Sequence, residues 1–166
     1  MSPIWPGIAL LAFVTLQRLV ELPIARANTA RLLSAGGHEV APRHYPLIVA
    51  LHASWLAVLW WFAPGRPLNL AFLALFALVE LTRIWVLRTL GNRWTTRIIV
   101  VPGECLVARG PYRFVNHPNY LVVAAEIALL PLVFGLWQLA LLFSALNAAI
   151  LTIRIRAENR ALGRRL

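Results

Sequence analysis

The chain contains no lysine, no aspartate and only one cysteine, Cys105. A single thiol rules out an internal disulfide. With no CxxC pair and no cysteine–histidine cluster, nothing marks a zinc site. His38, His44 and His52 also lack ligand-like spacing, so no metal is expected. Charge is scarce: 13% of the 166 residues are charged, against about a quarter in a soluble domain. The chain is 60% hydrophobic with a mean hydropathy of +0.72. A single domain of this length cannot hide so much apolar surface from water, which argues against a soluble protein. The stretch from Met1 to Phe13 has no positively charged n-region. Its apolar run therefore reads as a retained membrane segment and not as a secretory signal.

The charge that is present is one-sided, with 16 arginines, six glutamates and a formal net charge of +10. The arginines are interleaved with long apolar runs and do not gather on one face, so nucleic acid is not an expected partner. Four apolar blocks stand out: Ile4 to Ile24, Tyr45 to Phe62, Leu68 to Leu87 and Leu121 to Ile153. The second holds no formal charge, and as a helix its 18 residues would cover about 27 Å, close to a bilayer core. The fourth is too long for one span and short for two. Pro131 and Gly135 break it near the middle. Two short or tilted helices, about 118–133 and 136–157, are expected to form a tight hairpin.

The result is an all-α integral membrane protein, residues 1–166 forming one membrane-embedded domain of five transmembrane helices with a C-terminal hairpin. Arg26, Arg31 and Arg43 follow helix 1. Arg88, Arg93, Arg97, Arg109 and Arg113 follow helix 3. Arg154, Arg156, Arg160, Arg164 and Arg165 lie in the tail, whereas the opposite side has only Arg66. The positive-inside rule then sets the N-terminus outside and the C-terminus in the cytosol. Residues 88–117 are the one extended non-membrane stretch. In it, Arg97 to Val101 reads as a short strand before the turn Pro102-Gly103.

The polar residues that carry chemistry fall into two groups. Gly110 to Tyr120 (GPYRFVNHPNY) ends where the fourth block begins. Pro118 suits a first helical turn and Asn116 an N-cap. A helix start presents free N–H groups and partial positive charge to an anionic ligand group. His117 and Tyr120, three apart, would face the same ligand. Interfacial anchoring by tyrosine and proline explains the same residues without a ligand. Asn147, Arg154 and Glu158, spaced by seven and four, lie on one helical stripe. Arg154 and Glu158 would form either an ordinary surface pair or, with the hairpin closed, part of a site beside His117.

Together, the GPYRFVNHPNY segment, the apolar hairpin and the terminal RIRAENRAL resemble the isoprenylcysteine carboxyl methyltransferase family. That family's pattern is approximately G-P-Y-x-x-x-R-H-P-x-Y, a hairpin, then R-x-x-x-E-E-x-x-L. The resemblance covers residues 85–162 and looks most like the small bacterial branch, some of whose members are implicated in methylating alkylpyrones and alkylresorcinols. It implies an S-adenosylmethionine-dependent O-methyltransferase acting on a lipophilic acceptor, either a prenylated carboxylate or the enol or phenol of such a lipid. It also implies a bacterial inner membrane location with the active site facing the cytosol, and residues 88–162 as the cofactor-binding half. By position, Tyr112, His117, Pro118, Tyr120 and Glu158 would contact the cofactor, with Arg154 and Glu158 as catalytic residues. The sequence departs from the pattern twice: Asn116 stands where arginine is usual, and Asn159 replaces the second acidic residue. Phospholipid N-methylation and a non-catalytic small membrane protein are the alternatives.

Charges inside the apolar blocks are costly and pair or line cavities. Arg18 with Glu21, and Glu80 with Arg83, have helical spacing that predicts local pairs. Glu126 has no local partner and would line the acceptor cavity or meet an arginine from helix 1 or 3. The seven tryptophans read as belt and packing residues.

Overall fold

The structure, a computed structural model, describes residues 4–163; Arg164 and Arg165 of the basic tail lie outside the described residues. It is 75% helical. Five helices run α1 (Trp5–Ser34), α2 (Tyr45–Phe62), α3 (Leu70–Leu90), α4 (Pro118–Val133) and α5 (Trp137–Ala161). Two short strands, β1 (His38–Val40) and β2 (Ile98–Val100), pair antiparallel with Glu39 opposite Ile99. Helices α1, α2, α3 and α5 are long and apolar enough to cross a membrane. Helix α4 has 16 residues and measures about 24 Å, less than a bilayer core of about 30 Å.

Local chemistry sets these bounds. Asn69 caps α3, its side-chain oxygen accepting from the N–H groups of Ala71 and Phe72. The Asn69 N–H donates to the Val133 carbonyl at 2.8 Å, tying the start of α3 to the α4–α5 turn. That turn is made by Pro131 and Gly135, the latter at φ +68°. The Pro131 carbonyl, freed from the helical pattern, accepts from Phe134 and Leu136. Helix α1 runs ten residues beyond its apolar block, so Arg26 and Arg31, expected in a loop, sit on the helix. The extension is held by Asn28, buried, whose amide donates to the carbonyls of Trp94 (2.8 Å) and Gly91 (3.3 Å).

The helices alternate in direction, and one end of the bundle packs around Leu11, Trp55, Leu59, Phe76, Leu130 and Phe134. Leu16, Leu19, Val20, Leu78 and Leu81 are exposed on the outside. An apolar surface this continuous belongs in lipid. Of the tryptophans, Trp55 and Trp94 are buried and the other five are exposed, a mixture of packing and belt positions.

Near the middle of the bundle the charged residues pair across helices and not only along them. Arg83 donates to both oxygens of Glu21, through Nε at 2.7 Å and through Nη2, and its Nη1 reaches Glu126 at 2.9 Å. Arg18 bridges Glu21 (3.4 Å) and Glu126. The expected Arg18–Glu21 pair is present. The expected Glu80–Arg83 pair is not: Glu80 instead accepts from Gln17 at 2.8 Å. Glu126, fully buried on α4, meets an arginine from α1 and another from α3. Two arginines and two glutamates balance formally. This suits a site where a lone ion would be expensive.

Candidate active site

The polar end of the bundle is built on the 88–117 segment. Gly110 opens a 3-10 turn, Gly110–Arg113, at φ +57°. A Cβ there would lie 2.5 Å from Thr89 Oγ1 on α3, so only glycine lets the segment pack so closely. Tyr112 follows. Burial, with Glu158 nearby adding to it, pushes its phenol above the ordinary value of 10.0 and keeps it a neutral donor.

Helix α4 begins at Pro118, with His117 and not Asn116 in the capping position. No side chain caps it; the His117 carbonyl accepts from Tyr120 (3.1 Å) and Leu121 (3.3 Å). Proline at the first position has no N–H to satisfy, which reduces the need for a side-chain cap. The His117 side chain is thereby free to turn toward α5. Its Nε2 donates to Asn159 Oδ1 at 3.0 Å, and its ring stacks on Tyr120 with centroids 5.4 Å apart. Its Nδ1 lies 3.6 Å from Glu158 Oε2.

Tyr120 is the centre of the arrangement. Its hydroxyl donates to Glu158 Oε2 at 2.6 Å and accepts from Arg154 Nε at 3.3 Å. The local Arg154–Glu158 pair suggested by their spacing is thus mediated by a phenol from the other arm of the hairpin. Arg154 is buried and its Nη2 donates to the Thr96 carbonyl at 2.9 Å. Thr96 Oγ1 also donates to the Tyr45 hydroxyl at 3.3 Å. Arg97 lies over the Tyr45 ring, and its Nη1 donates to both carboxylate oxygens of Glu39 at 2.8 Å. The strand pair therefore anchors α2 and α5 to the loop that carries Thr96.

Tyr112, His117, Tyr120, Arg154 and Glu158 all line one cavity of about 460 Å³, open at the arginine-rich end. Pro118 is buried at the start of α4 and does not line it. A second cavity of about 280 Å³ lies between the helices, lined mainly by apolar side chains such as Leu19, Leu22, Val49 and Leu151. The two share Trp94, Thr95, Asn119, Tyr120 and Arg154 as walls. Reasoning from sequence missed Thr96, Tyr45 and Trp94. Their only signal was position, at the membrane end of the longest polar segment.

Residues 72–164 match the model of the isoprenylcysteine carboxyl methyltransferase (ICMT) family. The chain is also 37% identical over 166 residues to the uncharacterized protein YpbQ of Bacillus subtilis (strain 168), spanning 92% of this chain and 94% of the relative. No solved structure matches. The chain belongs to the ICMT family, and so to the methyltransferases that work in membranes.

Proposed function

We propose that the protein transfers a methyl group from S-adenosylmethionine to an oxygen of a lipophilic acceptor, the cofactor occupying the polar cavity and the acceptor the apolar one. One observation carries this reading. The Tyr120 hydroxyl joins Glu158 and Arg154 at the wall the two cavities share. A polar cosubstrate and an apolar one can therefore meet there without either leaving its own environment.

The residues fit the cofactor's chemistry. A cavity of about 460 Å³ is in the range that holds small-molecule ligands. Glu158 is a carboxylate for the cofactor's ammonium, and arginines at the same cavity serve its carboxylate. When bound, the cofactor supplies a methyl on a sulfonium: the S–C bond breaks as the acceptor O–C bond forms, and the sulfur leaves as a neutral thioether. The chain's own task is alignment and exclusion of water. Arg154 uses Nε and Nη2 on Tyr120 and Thr96 and keeps Nη1 for an acceptor oxygen. A carboxylate acceptor needs no base. A hydroxyl acceptor must lose its proton, and His117 can take it. With Nε2–H bound to Asn159, the lone pair rests on Nδ1, beside Glu158, which stabilises the imidazolium so formed. Asn159, a departure from the family pattern, thereby sets the tautomer of His117.

The arginine-rich end is assigned to the cytosolic face by the positive-inside rule, so the cofactor enters from the cytosol and the acceptor from lipid. Calorimetric titration of the detergent-purified protein with S-adenosylmethionine tests the reading. Binding is expected, weakened at least about tenfold in Glu158→Ala and in His117→Ala by loss of a charged or oriented partner. No binding to folded protein, or unchanged binding in both variants, overturns it.

A further inference from the structure

Three arginines among the described residues line the polar cavity: Arg93, Arg97 and Arg154. Two of them are committed to fixed partners. Arg154 holds Tyr120 and the Thr96 carbonyl. Arg97 holds Glu39, which stands in strand β1 opposite Ile99 and is kept there by the ladder. Arg93 differs. Its Nη2 pairs with Glu104, and its Nη1 donates to the Cys105 carbonyl at 2.7 Å. Glu104 and Cys105 line the same cavity.

The two members of this pair are held very differently. Arg93 ends the 3-10 turn Gly91–Arg93 that follows α3. The carbonyls of Gly91 and Trp94, on either side of it, both accept from the buried amide of Asn28 on α1. The Trp94 N–H closes the turn on the Gly91 carbonyl at 3.1 Å. The cation is therefore set in place by its flanking backbone. Glu104 follows the turn Pro102-Gly103 in an exposed stretch, 102–106, that belongs to no helix or strand. Its N–H donates to the Val101 carbonyl at 3.2 Å, which fixes the turn and leaves the side chain free to rotate. Each side chain of the pair is 36% exposed, and an ion pair so open to water adds little stability. Replacing this carboxylate on Arg93 by another one costs little.

We propose that Arg93 receives the carboxylate of S-adenosylmethionine, and that Glu104 is displaced from it into solvent as the cofactor binds. This rests on the reading of the polar cavity as the cofactor's. The cofactor's ammonium then goes to Glu158 and its carboxylate to Arg93, with Glu104 as an internal competitor for the same guanidinium. Arg93 keeps its bond to Cys105, so the 101–107 segment stays seated and only the Glu104 side chain moves. Charge alone predicts the opposite dependence on Glu104. S-adenosylmethionine carries a sulfonium, an ammonium and a carboxylate, so it is a net cation, and deleting a nearby glutamate weakens a cation. Competition predicts that the same deletion tightens it.

Calorimetric titration of the detergent-purified protein with S-adenosylmethionine and with decarboxylated S-adenosylmethionine tests this. In Glu104→Gln the cofactor should bind about two- to fivefold more tightly. The decarboxylated probe, which has no group to compete, should bind no more tightly than to the wild type. In Arg93→Gln the cofactor should lose about tenfold or more in affinity, and the decarboxylated probe should stay within about twofold. Thermal melting checks that each variant is folded; Glu104 is exposed, so Glu104→Gln carries the test if Arg93→Gln does not fold. Unchanged or weaker cofactor binding in Glu104→Gln overturns the proposal. So does a wild type that binds both probes equally, or a preference for the carboxylate that survives in Arg93→Gln, as when the start of α4 holds it. Failure of folded wild-type protein to bind either probe removes the methyltransferase reading itself, and this proposal with it. Binding without the gain in Glu104→Gln leaves that reading standing and removes only the exchange.

Discussion

Tyr120→Phe separates the two contributions of the phenol, because the ring stays on His117 while the hydroxyl goes. Of the two bonds lost, the one to Glu158 is short and charged (2.6 Å), and the one from Arg154 is long at 3.3 Å. Hydrogen bonds to charged groups contribute about 1.5–3 kcal/mol, so the pair is worth about 2 kcal/mol, nearly all from Glu158. Both bonds exist without cofactor, so most of this loss falls on the stability of the hairpin. The effect on cofactor affinity is smaller. Glu158, no longer held, must be ordered when cofactor binds, at about 0.5–1.5 kcal/mol, or roughly two- to twelvefold in Kd. Glu158→Gln, which removes the charge itself, should lose more affinity than Tyr120→Phe. Thermal melting and calorimetric titration of the same preparations read the two quantities apart. Unchanged melting together with unchanged affinity in Tyr120→Phe would refute the claim that this hydroxyl organises the site.

Other variants test the rest of the framework. Glu126→Gln leaves Arg18 and Arg83 with an excess of buried positive charge and should cost about 3–5 kcal/mol in denaturant or thermal unfolding; removing Arg18 as well, by Arg18→Gln, should recover part of it. Gly110→Ala meets both a left-handed φ and Thr89 Oγ1, and should cost about 1–2 kcal/mol for the backbone alone. Adding Thr89→Ala is expected to relieve the contact and not the backbone strain. Tyr112 titrates above 10.0 when folded, so unfolding is favoured as pH rises past the ordinary phenol value, where only the unfolded chain releases the proton. Tyr112→Phe should therefore flatten the loss of stability above about pH 10, measured by melting across an alkaline series.

Much of this architecture is legible in residue order. Helix α2 covers Tyr45–Phe62, the whole of the second apolar block. The α4–α5 break falls at Pro131 and Gly135, and α5 runs four residues past the expected 157, to Ala161. Strand β2 lies within the RIIVV stretch. Its partner β1 was not legible, because three residues of HEV carry no alternating pattern of their own. The ion pairs show the same limit. Spacing predicts which charges can meet on one helix, and it favoured Glu80 with Arg83. The helices instead bring Arg83 against Glu21 and Glu126, two carboxylates at separations of 62 and 43 residues.

Residue order alone determined that this chain must live in lipid, since its apolar surface exceeds what so small a body can bury. It also determined where the helices break, since proline and glycine act through their own backbones. Partnership was decided only by the folded bundle. Which phenol stands between Arg154 and Glu158, which amide fixes His117, and which side chains line each cavity depend on contacts between helices distant in sequence. Those contacts are set by packing and by the cost of leaving a charge or an amide unpaired, neither of which is a property of any one segment.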